Sequence, residues 1–250
     1  MDCRRIACLL IAASATAGLV RAGEVQVAVA ANFAAPLAKI GEGFSAATGH
    51  GLKTSAGATG KFQTQIAAGA PFELLLAADD ETPRKLVADG LAVAGSNFSY
   101  AIGRLVLWSA QPGVVDEQGA VLAAGRFAHL AIANPKLAPY GRAAMQVLAA
   151  RGLATALAPK LVSGESIAQT YQFVATGNAE LGFVAWSQVA VPGKPVAGSH
   201  WLVPSSLHRE IRQDAVLLKA GENNPAATAL LAYLKTDAAR AVMRSFGYAN

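Results

Sequence analysis

The chain has 250 residues, of which 53% are hydrophobic and 15% are charged, and its formal net charge is +5. The high apolar content excludes a disordered chain and is typical of a folded protein with a sizeable core in one or two domains. The positive charge is too small and too scattered to indicate a nucleic-acid partner.

The first residues have the pattern of a secretory signal peptide. Arg4 and Arg5 precede an apolar run, and Val20 and Ala22 occupy the positions that a signal peptidase prefers. The alternative is a membrane anchor, but the run is short for a span of roughly 20 residues. We therefore predict a cleaved signal peptide over residues 1–22 and a periplasmic protein.

The predicted cleavage also changes the chemistry of the chain. Both cysteines, Cys3 and Cys8, lie in the segment to be removed, so we expect neither a disulfide nor a cysteine metal site. The removed residues include three arginines and one aspartate, which lowers the net charge from +5 to +3. This mild positive charge favours the approach of anions.

The stretch VQVAVAANFAAPLAKI predicts a strand followed by a helix. Residues 24–30 alternate like a half-buried strand, Asn32 is polar, and Leu37, Ile40 and Phe44 have helical spacing. A strand that delivers an asparagine to a helix N-terminus presents backbone N–H groups, the positive helix end and an amide donor, which together favour anion binding. A plain N-cap role for Asn32 is the alternative.

The same pattern recurs three times along the chain. It is found in KTSAGATGKFQTQIAAG with a helix from about Gly60, in AIANPKLAPYGRAAMQVL with a helix from about Pro139, and in LVSGESIAQTYQFVATG with a helix from Ser166 or Ile167. Ligands of open α/β sheets bind beyond the carboxyl ends of the strands. We therefore expect four helix N-termini to face one crevice.

The remaining segments continue the alternation of strands and helices that is typical of an α/β protein. Residues 74–79 read as a buried strand, and the helix that follows ends at Gly90. Residues 99–109 form a long apolar segment without helical periodicity, and the last 26 residues or so predict one or two helices.

Several kinds of catalytic site are not supported. AGATGKF fails as a phosphate loop because Ser55 replaces the first glycine and Phe62 the final Ser or Thr, and no GxSxG motif is present. The four histidines have no paired ligand spacing. Asp79, Asp80 and Glu81 read as the solvated start of a helix. A secreted hydrolase would need a nucleophile with a base, or a metal cluster, and neither is visible.

The motifs AANFAAPL, SAGATGKF, QIAAGAPFELLLAAD, NPKLAPYGRAA and ELGFVAWS resemble those of the periplasmic molybdate-binding proteins that serve ABC importers, which are type 2 periplasmic binding proteins. The resemblance runs from about Val25 to Tyr248. It implies a two-lobed α/β protein, each lobe a mainly parallel sheet flanked by helices, that binds an oxyanion without catalysis.

The resemblance also implies the division of the chain. Residues 23–103 with 205–250 would form lobe 1, and residues 104–204 would form lobe 2. Two crossover segments, near 103–109 and 204–213, would act as a hinge. The implied partners are the oxyanion and an importer permease, with the protein a monomer and without a cofactor.

Carried over by position, the oxyanion-binding residues of the family fall on Ala31, Asn32, Thr59, Tyr140 and Ile167. Ala31 and Ile167 can offer only backbone N–H groups, whereas the other three also have side-chain donors. No residue is implied as a direct ligand of a metal cation. The alternatives are that Thr59 caps its helix and that Tyr140 packs in the hinge.

Tyr140 depends on an exchange within the family. One branch has alanine in place of the tyrosine of PYG and takes a tyrosine from the strand that matches LGFVAW, where this chain has Ala185. Tyr140 is therefore the expected phenol donor. Since none of these donors is charged, we expect a fully ionised dianion such as molybdate or tungstate, with sulfate, chromate or a small carboxylate as alternatives.

Overall fold

A computed structural model describes residues 22–249 of the chain. The predicted signal peptide lies outside these residues apart from Ala22. The strands are β1 Glu24–Ala30, β2 Gly51–Gly57, β3 Leu74–Leu76, β4 Phe98–Gly103, β5 Leu105–Ser109, β6 Leu130–Ala133, β7 Leu161–Gly164, β8 Leu181–Ala185, β9 Ser199–Leu202 and β10 Ile211–Leu217. The helices are α1 Ala34–Thr48, α2 Thr59–Ala67, α3 Glu81–Ala88, α4 Val121–Ala124, α5 Pro139–Ala150, α6 Ala154–Leu157, α7 Ile167–Ala175, α8 Trp186–Val189, α9 Pro225–Tyr233 and α10 Asp237–Ser245.

These strands form two five-stranded sheets, in the orders β2-β1-β3-β10-β4 and β7-β6-β8-β5-β9. Each sheet is mixed. The strands linked by helices pair in parallel, as right-handed strand–helix–strand units do, whereas β10 in the first sheet and β5 in the second pair antiparallel with both neighbours. The predicted two-lobed α/β fold is confirmed.

Two short connections join the sheets. β4 of the first sheet ends at Gly103 and β5 of the second begins at Leu105, so a single residue separates them. The chain returns between β9 and β10, over residues 203–210. The first sheet is thus formed by β1–β4, which precede the second sheet in the sequence, and by β10, which follows it. The lobe boundaries at 103/104 and 204/205 stay a prediction.

We call the part of the molecule built on the sheet β2-β1-β3-β10-β4 the first half, and the part built on the other sheet the second half. The apolar residues that predicted β1 and α1 form part of the core of the first half. The valines of β1 are fully buried, and α1 buries a face that includes Leu37, Ile40 and Phe44. The helix ends at Gly49, whose positive φ of 73° closes the last turn. Strand and helix therefore hold Asn32, which lies between them, on two sides.

The two C-terminal helices complete the same half of the molecule. α9 packs on β1 and β10, and α10 packs on α1. The chain then enters the core at Tyr248, whose side chain is 5% exposed. This return brings a phenol from the last part of the sequence to the residues that follow β1. Within residues 22–249 no helix is both long enough and apolar enough to span a membrane.

Candidate functional site

All five predicted site residues line one small cavity between the two sheets. Ala31 and Asn32 come from the turn after β1, Thr59 from the start of α2, Tyr140 from α5, and Ile167 from α7. Ala78, which follows β3, also lines the cavity. Three strand–helix junctions of the first half and two helices of the second half therefore converge here. None of the cavity's lining residues carries a charge.

The backbone around the cavity presents N–H groups to it. Thr59 and Ile167 are the first residues of α2 and α7, and Tyr140 is the second residue of α5. N–H groups in the first turn of a helix have no partner within that helix. The cavity thus has the positive ends of three helices at its wall.

Gly141 explains how closely α5 approaches the cavity. A Cβ at this position would collide with the carbonyl oxygen of Ala133 at the end of β6. Because the obstacle is backbone, a side chain would push the start of α5 away from the sheet. The glycine of the PYG motif therefore sets the position of Tyr140.

The hydroxyl of Thr59 forms a hydrogen bond with the segment that follows β3. Its Oγ1 accepts a hydrogen bond from the backbone N–H of Ala78 at 2.9 Å, and the side chain makes no capping bond in α2. Thr59 is 1% exposed. The hydroxyl oxygen thus accepts one hydrogen bond within the protein, and its proton remains available for donation. The N-cap residue of α2 is Ala58 and not Thr59, so the alternative of a helix cap is wrong.

The side chain of Asn32 is not an N-cap either. Its Nδ2 donates to Oε1 of Gln213 and to the hydroxyl of Tyr248, each at 2.9 Å. Asn32 Oδ1 is the one buried side-chain nitrogen or oxygen among residues 22–249 without a hydrogen-bond partner. Both amide protons are therefore engaged inside the protein, which leaves the backbone N–H of Asn32 for a ligand.

Tyr140 lines the cavity and also packs against the end of β4. Its hydroxyl lies so close to Gly103 that a side chain there would collide with it. Its role as a donor to a ligand stays a prediction. The Tyr140 hydroxyl accepts from Nε2 of Gln213 at 3.1 Å. Burial raises the pKa of Tyr140 well above 10.0, so its phenol stays protonated and able to donate.

A buried polar network behind the cavity was missed by the sequence analysis. It includes Gln213, which is fully buried, and Tyr100, whose hydroxyl lies 3.0 Å from both Gln213 Oε1 and the carbonyl of Ala77. Ser187 Oγ donates to the carbonyl of Asn32 at 2.9 Å. The available signal was a glutamine and an aspartate inside the apolar strand IRQDAVLL, since buried polar residues in a strand need partners.

The two halves touch each other around the cavity. Besides the bond from Ser187 to Asn32, the backbone N–H of Gly60 in α2 donates to the carbonyl of Leu137, before α5, at 2.9 Å. The apolar cluster of the second half extends across the crevice to Ala30, Ala58 and Ala78. The described structure is therefore a closed arrangement of the two sheets.

The acidic cluster after β3 differs from the prediction of a solvated helix start. Asp79 is 8% exposed and accepts from the backbone N–H of Thr82 and from Arg142. Asp80 and Glu81 form ion pairs with Arg209. The prediction failed for Asp79 because Arg142, which is distant in sequence, pairs with it. Within the described part of the chain, no cluster of His, Cys, Asp and Glu could hold a metal ion.

Comparison with known families decides the class of protein. Residues 25–249 match the model of the family described as "Bacterial extracellular solute-binding protein". The chain belongs to this solute-binding protein family. The match covers nearly all of the described residues, including every residue that lines the cavity.

Individual solute-binding proteins are also similar to the chain. It is 61% identical to the "Molybdate-binding protein ModA" of Azotobacter vinelandii, over 91% of this chain and 90% of that protein. It is 53% identical to the "Molybdate-binding protein ModA" of Rhodobacter capsulatus, over 91% and 88%. The solved structure of the periplasmic molybdate-binding protein of A. vinelandii superposes with a TM-score of 0.88 at 39% identity and covers 90% of this chain and 99% of that one.

Proposed function

We propose that this solute-binding protein captures molybdate or tungstate in the periplasm and delivers it to an ABC importer. The observation that supports the proposal most directly is the convergence of Ala31, Asn32, Thr59, Tyr140 and Ile167 on one uncharged cavity between the two sheets. Relatives at 61% and 53% identity carry the name of molybdate-binding proteins.

The proposed site binds the oxyanion through neutral donors alone. Ala31, Asn32 and Ile167 would donate backbone N–H groups, and the hydroxyls of Thr59 and Tyr140 would donate their protons. Hydrogen bonds from such donors to a charged acceptor are stronger than those between neutral groups, and the ends of α2, α5 and α7 favour negative charge. No counter-charge is then required in the cavity.

The protonation state of the donors selects a fully ionised anion. A ligand that carries its own proton, such as hydrogen phosphate, would bring an O–H into a cavity whose proposed contacts all donate. The backbone N–H groups cannot accept this proton, and the hydroxyls of Thr59 and Tyr140, which each already accept one hydrogen bond, would direct their own protons at the anion. A buried donor left without a partner costs roughly 1–3 kcal/mol. Molybdate, tungstate and sulfate have no such proton, and the relatives favour molybdate.

The protein would act as a monomeric carrier and not as an enzyme. Binding needs no covalent step and no cofactor, and the oxyanion is the cargo. The importer permease would recognise the closed form, in which both halves contact the ligand. The aromatic side chains of Phe33 and Trp186 do not line the cavity.

Calorimetric titration of the protein without residues 1–22 tests the proposal. We expect molybdate and tungstate to bind at micromolar concentrations or below, and sulfate, chromate and phosphate to bind more weakly. Absence of heat with both molybdate and tungstate would refute the molybdate assignment. A preference for sulfate or for a carboxylate in a thermal-shift screen would support a different cargo in the same cavity.

A further inference from the structure

Gln213 connects the two halves of the candidate site. It lies on β10, at the return crossover from the second sheet to the first, and is fully buried. Its side chain contacts Asn32 of the first half and Tyr140 of the second, with distances of 2.9 Å from Asn32 Nδ2 to Oε1 and 3.1 Å from Nε2 to the Tyr140 hydroxyl. No other described side chain makes hydrogen bonds to both of these residues.

The orientation of the Gln213 amide follows from that of the Asn32 amide. Asn32 Nδ2 can only donate, so the atom of Gln213 that faces it must be Oε1. The Tyr100 hydroxyl lies on the same side and can also donate to Oε1. The amide nitrogen is therefore turned towards Tyr140.

This orientation determines what Tyr140 can do. Nε2 has no lone pair to offer, so the contact with Tyr140 must be an N–H donated to the phenol oxygen. The hydrogen bonds of the described residues include no acceptor for the phenol's own proton. Because Tyr140 lines the cavity, that proton is left for a ligand.

We infer that Gln213 is a positioning residue for anion binding, which fixes Tyr140 as a hydrogen-bond donor to the ligand through the orientation imposed by Asn32. The inference rests on the proposed anion site and adds a residue that touches no ligand. If the Asn32 amide were turned by half a rotation, Gln213 would turn with it and would accept the Tyr140 proton. Tyr140 would then offer only lone pairs to an anion.

A double-mutant cycle tests the inference. Molybdate affinity is measured by calorimetry for the wild type, Tyr140→Phe, Gln213→Met and the double variant, with melting temperatures to verify folding. We expect Tyr140→Phe to weaken binding about tenfold or more in the wild type and far less in the Gln213→Met protein, since the phenol proton is no longer directed. Gln172→Met, an exposed substitution on α7 of the same chemical type, serves as the control.

Additive effects in the cycle would overturn the inference, and so would a Tyr140→Phe protein with wild-type affinity. A wild-type protein that does not bind molybdate would instead refute the proposed function, so the two failures are distinguishable.

A second variant carries the test if Gln213→Met does not fold. In Gln213→Glu, the protonated carboxyl can donate to Tyr140 as the amide does, whereas the ionised carboxylate would accept the Tyr140 proton and repel the anion. Burial moves the pKa of such a carboxyl towards neutrality, so molybdate affinity should rise as pH falls from about 8 to about 6 in this variant alone. A pH profile parallel to that of the wild type would overturn the inference.

Discussion

Arg142 donates to Asp79 across the crevice between the two sheets, with 2.8 Å between Nη2 and Oδ2. Asp79 follows β3 of the first sheet, whereas Arg142 lies on α5, which packs on β6 and β8 of the second. Ala78, which adjoins Asp79, and Tyr140, two residues before Arg142, both line the cavity of the candidate site. The ion pair therefore joins the two halves beside the candidate site.

Removal of this pair should weaken closure. Arg142→Ala is expected to reduce molybdate affinity by roughly 0.2–1 kcal/mol, a modest effect because the arginine is partly exposed and its charge is screened by solvent. Asp79 keeps its bond from Thr82, so the fold should remain stable. The matched control is Arg84→Ala, which removes an arginine that pairs with Asp80 within one half. Equal affinities of the two variants would contradict the prediction.

Thr59→Ala should reduce both affinity and stability. The ligand would lose one charge-assisted hydrogen bond, at roughly 1–3 kcal/mol of binding free energy. The buried N–H of Ala78 would lose its acceptor as well, which lowers the free energy of unfolding. Titration and thermal melting measure the two effects, and Thr59→Ser should restore both. Thr64→Ala, at an exposed threonine of the same helix, is the control. Unchanged affinity would remove Thr59 from the site.

Gly60→Ala should hinder closure of the crevice between the two halves without destabilising the folded protein. A Cβ at Gly60 would lie 3.0 Å from the carbonyl oxygen of Leu137, which belongs to the other half, and would meet it only when the crevice is closed. We expect weaker molybdate binding with a nearly unchanged melting temperature of the free protein. Gly51→Ala on β2, where the nearest atom is 3.9 Å away, should change neither. A loss of stability equal to the loss of affinity would contradict this prediction.

Ligand binding should make the protein more compact. Donors come from both halves of the molecule, so a dianion binds the closed form better and shifts the equilibrium towards it. Small-angle scattering is expected to give a smaller radius of gyration with molybdate than without it, and Gly60→Ala should attenuate the change. Identical scattering curves in the two conditions would indicate a preformed, rigid pocket.

The buried phenols predict a loss of stability at alkaline pH. Burial raises the pKa of Tyr100, Tyr140 and Tyr248 above the ordinary value of 10.0. Since the unfolded chain loses these protons at lower pH than the folded protein does, the stabilisation is fully present below about pH 10 and decreases as pH rises further. Denaturant titrations at pH about 8 to 11 measure it. Tyr248→Phe should reduce the rate at which the free energy of unfolding falls with rising pH. A free energy of unfolding that does not change with pH in this range would contradict the raised pKa values of the tyrosines.

The elements that the sequence predicts well are those whose signals are local. The alternation of residues 24–30 and the helical spacing of Leu37, Ile40 and Phe44 come from contacts within one strand and one helix, and both elements lie where they were expected. Pro139 and Ser166 mark the starts of α5 and α7 because their backbone and side-chain preferences suit a first turn and an N-cap.

The features that the sequence did not predict depend on contacts between distant residues. Asp79 was expected in solvent because nothing near it in sequence shows that Arg142 covers it. The role of Gln213 depends on Asn32 and Tyr140, and the antiparallel pairing of β10 depends on the path of the return crossover. Such pairings require the three-dimensional arrangement, which neither hydrophobic periodicity nor capping preferences encode.

The bond between Asn32 and Tyr248 joins residues 216 positions apart. A ribosome makes Asn32 early and Tyr248 very late, and contacts of such long sequence separation form slowly. An unfinished chain can build β1 and α1 while the asparagine amide still lacks its final partner. The hydrogen-bond network behind the cavity is therefore completed only when the C-terminal segment is in place, so the site that we propose for the anion is finished among the last steps of folding.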